Sequence, residues 1–490
     1  MLKGYKMIAP VQTSIFYVND YHAKLINMER TVTALRTFGK IQPQADKLRL
    51  SSGDFLLGEY YFVNKAAIAA QNIMGISASA MGNHEYDMHN RFAGLFPDVR
   101  YKMLACNVKF KPENPYNKMV EKSYIEEING HKYGIVGLSP TDLLNRLASG
   151  DLHREMEVSD FNKSVEQLQA EVDKLKSQGI DKIILLSHAG YDFDKQIAVS
   201  TEGIDIIIGG HSHDLIKGIT PGENLLYSKT GKPVVIVQAG RDGKYFGNLN
   251  VEFNSNGEIT KAQNNVSSTR EFHRDAAARY LFESILGKPE ILGVINSAPP
   301  PPGNDLIEPN GHANFLVDCI HNALGADISL LCSGYIRGRF EKGNIDSRKI
   351  DEIIPFKNKI GIVQYSEKQV IDALKYAGQS LVSKGNKPGI LQTAGLKYSL
   401  SKDGQLLEAR FTDKSGKEIP IDVNNPRTDK FYRVGINDYM AEGNDGFSML
   451  NTTNQMEKTF DLNECLVKYI KSQAKLINIP QDDGRVKIVD

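Results

Sequence analysis

The sequence predicts an α/β protein with more than one domain, and three observations support this. Its 490 residues exceed a single typical domain of roughly 150 residues. In the first half, short apolar runs alternate with stretches of helical periodicity, the pattern of a layered α/β domain. Near residue 300, four consecutive prolines interrupt the chain, and the part beyond them is long enough for a core of its own.

Six apolar runs of the first half are predicted strands, and their continuous apolar character indicates strands covered on both faces. They are Ser14–Val18, Lys47–Ser51, Tyr133–Leu138, Lys182–Ser187, Ile204–Gly210 and Val234–Gly240. The clearest helix is predicted over Asp160–Gln178, where apolar residues recur at helical spacing. A closing hairpin is predicted over Gly247–Gln263, with Asn256-Gly257 in its turn.

The polar stretch before the proline run is the predicted domain boundary. A helix is expected over about Thr269–Ile295, and the prolines at 299–302 cannot continue it. We therefore predict a first domain over residues 1–268, a helical and Pro-rich linker over 269–303, and a second, smaller mixed α/β domain over 304–490.

Composition excludes several classes of function. Lys+Arg and Asp+Glu both number 59, so charge gives no case for a nucleic-acid polymer or an anionic membrane as partner. The sequence contains no run of 18 consecutive apolar residues, so no transmembrane helix is predicted. It also lacks an apolar region before the first predicted strand, so no secretory signal peptide is predicted. The four cysteines lack the spacing of a zinc site or a disulfide framework. We expect reduced, buried thiols in a cytoplasmic protein.

Polar side chains follow five apolar runs of the first half: four of the predicted strands and the run Ile76–Met81. In layered α/β folds, ligands bind at the carboxyl ends of strands, so we expect these side chains to meet at one edge. They are Asp20, His22, Asp54, Asn83, His84, Asp87, His188, His211 and His213.

This mixture of carboxylate, imidazole and amide groups predicts transition-metal ions. It suits zinc, manganese, iron or cobalt better than magnesium or calcium, which prefer oxygen ligands. The ligands are too many for one ion. The two expected sites share Asp54 and consist further of Asp20, His22 and His213 on one side and Asn83, His188 and His211 on the other. Two ions about 3.5–4 Å apart activate water and stabilise an in-line phosphoryl displacement.

His84 has no ligand role in this arrangement and is a candidate general acid or transition-state cation. Asp87, three residues later, can orient the imidazole and stabilise its protonated form. Each motif alone is also typical of a turn or a helix cap. Five such strand ends in one domain favour the metal site.

Taken in order, D-x-H, GD, GNHE-x-D, SH-x-G and GHSH resemble the calcineurin-like metallophosphoesterases. About residues 12–480 resemble the wider 5′-nucleotidase family, which adds a C-terminal substrate domain. The resemblance implies an α/β/β/α layered first domain, two zinc, manganese or cobalt ions on the seven ligands, and a His84–Asp87 catalytic dyad. It also implies a small-molecule substrate, a nucleotide that loses its 5′-phosphate to metal-bound hydroxide.

Three segments resemble the family's substrate domain: Gly325–Arg337, Asp351–Ile360 and Gly435–Leu450. On matching positions, Arg337 would hold the phosphate, because a guanidinium fork fits phosphate geometry. Phe356 and Tyr439 would sandwich a nucleobase, and Asp445 would accept hydrogen bonds from the ribose. Because the metal motifs end at His213, the substrate is expected to bridge both domains.

The chain departs from the family's phosphate-binding pattern. Cys332 stands at the asparagine of NGGGIR, residues Ser333–Tyr335 stand at its three glycines, and an upstream arginine is absent. Arg339, Lys342 or Tyr335 could compensate. A nucleotide-sugar, a cyclic nucleotide or a non-nucleotide phosphate is therefore the alternative substrate. A binding or scaffold protein without turnover is a third hypothesis, which the intact ligand set disfavours.

Overall fold

The computed structural model describes residues 10–38, 40, 42–147, 151–356, 358–451, 456–473 and 476–489. The chain divides into two compact units, Met1–Gly287 and Lys288–Asp490. The helix predicted to reach Ile295 is shorter: it covers Ala276–Leu286, and Ile291–Ser297 is a strand of the second unit. Gly287, at φ +73, and the proline that follows at position 289 end this helix.

Two large sheets lie face to face in the described part of the first unit. From edge to edge, the first sheet contains Ile259–Ser268, Tyr245–Phe253, Val11–Val18, Asp46–Ser51, Ala78–Ala80, Lys102–Leu104 and Val120–Glu121. The second contains Leu225–Tyr227, Pro233–Val237, Ile206–Ile208, Lys182–Ser187, His131–Leu138 and Ser123–Ile128. A small separate sheet pairs Val108–Phe110 with Met156–Val158.

The central strands of each large sheet are parallel, so their carboxyl ends share one edge. All six predicted strands form, two of them shorter than expected. The predicted hairpin also forms, with Gly257 at φ +75 in its turn.

Helices cover the outer face of each large sheet. The first sheet is covered by Leu25–Phe38, Tyr61–Met74 and Ala276–Leu286, and the second by Phe161–Ser177 and Tyr191–Ser200. Shorter helices are Tyr116–Met119 and Asp151–Glu155. Ile15, Leu50, Ile184 and Ile208 belong to the apolar core between the sheets. The predicted α/β/β/α order is confirmed, and two covered faces explain why the strands are continuously apolar.

The second unit is mixed α/β, as predicted. In its described residues, the largest sheet contains Leu391–Ala394, Ile328–Cys332, Phe431–Asn437, Lys359–Ser366 and Glu457–Asp461. A second sheet contains Glu418–Ile421, Leu406–Thr412, Leu396–Ser401 and Val486–Val489, and a third contains Gly343–Asp346, Ile291–Ser297 and Leu476–Asn478. The helices are Gly311–Leu324, Ser347–Ile353, Glu367–Gly378, Asp438–Ala441 and Leu462–Ser472.

Among the described residues, no helix is both long and apolar enough to cross a membrane. The cysteines Cys106, Cys319, Cys332 and Cys465 are all buried and unbridged, as expected.

Candidate functional site

The structure brings the predicted site residues of the first unit together at the carboxyl ends of strands from both large sheets. Asp20, Asp54 and Asn83 come from the first sheet, and His188 and His211 come from the second. Three groups of side chains have ligand atoms that all lie within 4.8 Å of one another. They are Asp20 with His22 and His213, His22 with Asp54 and His84, and Asp54 with His188 and His211.

The buried carboxylate of Asp54 lies at the centre of the site. Its Oδ2 atom is 3.0 Å from Nε2 of His188, 3.5 Å from Nε2 of His22 and 3.9 Å from Nε2 of His84. Its Oδ1 atom accepts a hydrogen bond of 2.9 Å from the backbone N–H of His84. Asp54 therefore lies close to three histidine rings of the site at once.

Asp20 is the second buried carboxylate of the site. Its Oδ1 atom lies 3.3 Å from Nε2 of His213 and 3.8 Å from Nε2 of both His22 and His188. The backbone N–H of His211 donates to both of its oxygens, at 3.1 and 3.2 Å. The His211 ring in turn has Nδ1 at 3.1 Å from the amide oxygen of Asn83, so the sequence-predicted amide also lies in the site.

The loops that carry these side chains hold non-glycine residues in the left-handed backbone region. The φ angles are 50° for Asp20, 48° for His22, 50° for Asp54, 73° for His211 and 65° for His213. Such conformations cost about 1–3 kcal/mol each and cluster at functional sites. Backbone hydrogen bonds impose two of them: Asp20 donates to Gly53 at 3.0 Å, and His22 donates to Asp54 at 2.9 Å.

Hydrogen bonds on Nδ1 fix the orientation of two histidine rings. Nδ1 of His22 lies 3.2 Å from Oδ1 of Asp242, and Nδ1 of His188 lies 2.6 Å from the carbonyl oxygen of Ser52. The Nε2 atoms of both rings are buried and face the carboxylates. Metal-binding histidines show this arrangement. The side chains therefore fit a divalent transition metal, which accepts such a nitrogen and oxygen set.

Opposite charges set the protonation states of the cluster. Burial opposes ionisation of Asp54, but His188 and His84 hold its pKa well below the ordinary value. Burial opposes ionisation of Asp20 as well, and attraction by His188 and His213 lowers its pKa. Conversely, burial disfavours protonated His188, yet Asp54 and Asp20 raise the pKa of its imidazole to about 10. Both carboxylates are anionic and attract positive charge.

The predicted dyad of His84 and Asp87 lies beside this cluster. Nδ1 of His84 is 2.7 Å from Oδ2 of Asp87, and the same oxygen accepts a hydrogen bond from the backbone N–H of Gly58 at 2.6 Å. Asp87 is therefore held in place while it orients the His84 ring, the geometry that its spacing in the sequence predicted.

In the second unit, the predicted substrate residues also lie together. The guanidinium carbon of Arg337 is 5.5 Å from the ring centroid of Phe356. The hydroxyl of Tyr439 donates to Oδ1 of Asp445 at 3.4 Å. Tyr335, at one of the substituted glycine positions, contacts the rings of both Phe356 and Tyr439.

Of the residues expected to compensate for the missing arginine, Arg339 is paired within the second unit. Its guanidinium contacts both carboxylate oxygens of Asp305, with Nε at 3.1 Å from Oδ1. Lys342 lies in a cleft lined also by Asn344 and Arg348. Tyr335 contacts the predicted substrate residues directly.

Two family models match the chain, one within each unit. Residues 13–215 match the family model for calcineurin-like phosphoesterase, and residues 299–452 match the model for the 5′-nucleotidase C-terminal domain. The chain is a calcineurin-like phosphoesterase with a 5′-nucleotidase C-terminal domain. It is therefore a metal-dependent phosphomonoester hydrolase. The family predicted from the sequence is confirmed.

Relatives resemble this phosphoesterase along nearly its whole length. It is 26% identical to a 5′-nucleotidase of Rattus norvegicus, over 97% of this chain and 90% of that one. It is 24% identical to the trifunctional nucleotide phosphoesterase protein YfkN of Bacillus subtilis, but spans only 35% of that longer protein. A structure of a 5′-nucleotidase precursor from Thermus thermophilus shares the fold, with a TM-score of 0.82 at 24% identity over 98% and 100% of the two chains.

Two residues that organise the phosphoesterase site, Glu85 and Asp242, have no role predicted from the sequence. The buried carboxylate of Glu85 accepts hydrogen bonds from four backbone N–H groups, those of Asp54 at 2.8 Å, Phe55 at 2.9 Å, Leu56 at 3.2 Å and Gly82 at 2.8 Å. Asp242, which orients His22, follows the predicted strand Val234–Gly240. The position of Asp242 after a predicted strand could have indicated a site residue. The role of Glu85 could not be predicted from the sequence, because its partners are backbone groups of two separate loops.

We expect Glu85→Ala to lower the free energy of unfolding of the metal-free protein by about 3–5 kcal/mol, because it leaves four buried N–H groups without their acceptor. Urea denaturation followed by circular dichroism measures this loss. Glu113→Ala, at an exposed position, is the control. Equal stability of the two variants would contradict the anchoring role of Glu85.

Proposed function

We propose that the chain hydrolyses phosphomonoesters with two divalent transition-metal ions. The observation that carries this proposal is the pair of buried Nε2 atoms on His22 and His188, which are fixed through Nδ1 and face the shared carboxylate of Asp54. One ion is assigned to Asp20, His22, Asp54 and His213, and the other to Asp54, Asn83, His188 and His211.

Zinc, manganese and cobalt all suit this ligand set. When bound, two such ions activate water and neutralise charge on the transferring phosphoryl group. The protein's own contribution is to fix the carboxylates and rings before substrate arrives. The hydrogen bonds from Asp242 and Ser52 set the ring orientation and leave Nε2 as the coordinating atom in both His22 and His188.

His84 is assigned the proton-donating role. Asp87 binds the N–H at Nδ1 of this ring, so a second proton on the imidazole lies at Nε2. That nitrogen is 3.9 Å from Oδ2 of Asp54, beside the carboxylate cluster. From there a protonated ring donates to a phosphoryl oxygen or to the leaving oxygen, and Asp87 stabilises the positive charge.

The substrate is assigned to the small-molecule phosphomonoesters. The names of the relatives and the neighbouring Arg337, Phe356, Tyr439 and Asp445 favour the 5′-phosphate of a nucleotide, since guanidinium groups bind phosphate and aromatic rings stack on bases. A phosphomonoester without a base is the second candidate, because Tyr335 packs against two of these rings. The cytoplasmic location and the boundaries of the linker at 269–303 stay predictions.

Removal of the shared carboxylate tests the two-metal assignment. We expect Asp54→Ala to lose both ions by elemental analysis and to abolish hydrolysis of 4-nitrophenyl phosphate, because Asp54 is assigned to both sites. The exposed Asp173→Ala variant controls for general loss of acidic charge. An Asp54→Ala protein that holds two ions and turns over normally would refute the assignment.

Replacement of the dyad histidine separates catalysis from metal binding. We expect His84→Ala to lower kcat by about 10²–10⁴-fold, the usual cost of losing a positioned acid or charge stabiliser. Metal content should stay near two ions per chain, because His84 is not assigned as a ligand. His273→Ala, at an exposed position, should retain the full rate. Metal loss equal to that of Asp54→Ala would remove His84 from its assigned role.

The orienting carboxylate provides a test that does not depend on turnover. We expect Asp242→Asn to weaken metal affinity by about 10–100-fold at one of the two sites, because His22 loses the charged partner of its Nδ1. Competition with a chromogenic chelator measures this affinity, with Asp173→Asn as the control. Unchanged affinity at both sites would show that Asp242 does not position His22.

A further inference from the structure

Three aromatic rings meet at one edge of the largest sheet in the second unit. Tyr335 and Tyr439 follow neighbouring parallel strands of this sheet, and Phe356 precedes the strand that lies antiparallel to the second of them. The carboxyl ends of parallel strands are a common position for ligands in such sheets. The rings are therefore placed where the side chains of the second unit can contact a substrate.

The ring of Tyr335 packs edge-to-face on both of the other rings. Its centroid lies 5.6 Å from that of Phe356 and 5.6 Å from that of Tyr439, with interplanar angles of 67° and 66°. Both values are those of favourable aromatic contacts. A stacked base needs about 3.5–4 Å of clearance above each ring face. Because Tyr335 contacts both rings, a base that stacks on them has to compete with its ring for the space beside them.

The turn that carries Tyr335 is held firmly, so the ring does not swing away with its backbone. Strand and loop atoms on two sides bind this turn. The backbone N–H groups of Ser333 and Arg337 donate to the carbonyl oxygens of Ile390 at 3.0 Å and Ile353 at 2.9 Å, respectively. The thiol of Cys332 donates to the carbonyl oxygen of Pro388 at 3.1 Å. The side-chain amide of Gln392 donates to the Ser333 hydroxyl at 2.9 Å. Tyr335 itself is only 6% exposed.

Polar groups for other parts of a substrate lie next to these rings. Arg337 is only partly buried over Phe356 and has the geometry that binds a phosphate. Asp445, also partly buried, is an acceptor of hydrogen bonds beside the hydroxyl of Tyr439. The group thus offers a cation and a hydroxyl-binding carboxylate, while Tyr335 contacts both of its aromatic rings.

We propose that Tyr335 is a specificity-determining residue that prevents a nucleobase from stacking on Phe356 and Tyr439, so that the enzyme accepts phosphomonoesters of small polyhydroxy alcohols such as sugars as well as it accepts nucleotides. This inference rests on the proposed phosphomonoesterase function and names the substrate class for it. A purine nucleotide gains no stacking energy from its base as long as Tyr335 remains against both rings.

The test compares adenosine 5′-monophosphate with ribose 5-phosphate on the full, metal-loaded chain. In the wild-type protein and in Tyr335→Phe, which keeps the ring, KM for the nucleotide should lie within about 3-fold of KM for the sugar phosphate. In Tyr335→Gly, KM for the nucleotide should fall by about 10-fold or more relative to the sugar phosphate, the size of one base–ring stack. Adding Phe356→Ala to Tyr335→Gly should cancel that gain.

Calorimetric titration with adenosine alone separates this inference from the proposed function. Tyr335→Gly should bind adenosine at least about 10-fold more tightly than the wild-type protein does.

If no phosphomonoester is turned over, the proposed function fails, and the adenosine titration still decides the role of Tyr335. A wild-type chain that prefers the nucleotide by about 10-fold, or equal adenosine affinity in the folded Tyr335→Gly protein, overturns the inference. If Tyr335→Gly does not fold, tight adenosine binding by the wild-type protein overturns it and failure to bind supports it.

Discussion

The site of the first unit depends on burying two carboxylates, Asp20 and Asp54, close to each other. Buried anions of this kind are stable only when nearby cations and hydrogen-bond donors compensate them. Here the compensation comes from a shell of histidine rings and from backbone N–H groups, such as those that His84 and His211 direct at the two carboxylates. A divalent cation completes the same balance of charge.

The left-handed backbone at the metal-site loops follows from this constraint. The loops must turn sharply after each strand so that short side chains such as Asp20 and Asp54 reach a common point. Their strain is held by bonds from outside the site, above all by Glu85, whose single carboxylate fixes two loops through four N–H groups. Rigid loops place the ring nitrogens before a metal ion arrives, which limits the reorganisation that binding requires.

In the second unit, as in the first, predicted site residues follow the carboxyl ends of parallel strands. Its charged residues, Arg337 and Asp445, stand at the predicted positions, but the ring of Tyr335 fills the space beside Phe356 and Tyr439. In its proposed role, the single side chain of Tyr335 decides whether a base can stack on this surface. The candidate metal ligands and the candidate substrate residues lie in separate units of the chain.

The sequence by itself determined the buried strands of the first unit and the polar side chains that follow them. Continuous apolar runs specify strands that are covered on both faces, and the ligand motifs follow those runs directly, so both are local properties of the chain. The end of the helix at Leu286 could have been placed from Gly287 and the proline after it, but the strand at Ile291–Ser297 could not, because its partners lie more than 40 residues away. Only the tertiary structure decided the roles of Glu85, Asp242 and Tyr335. Each acts through contacts with residues distant in the chain, and such contacts exist only once the sheets have packed.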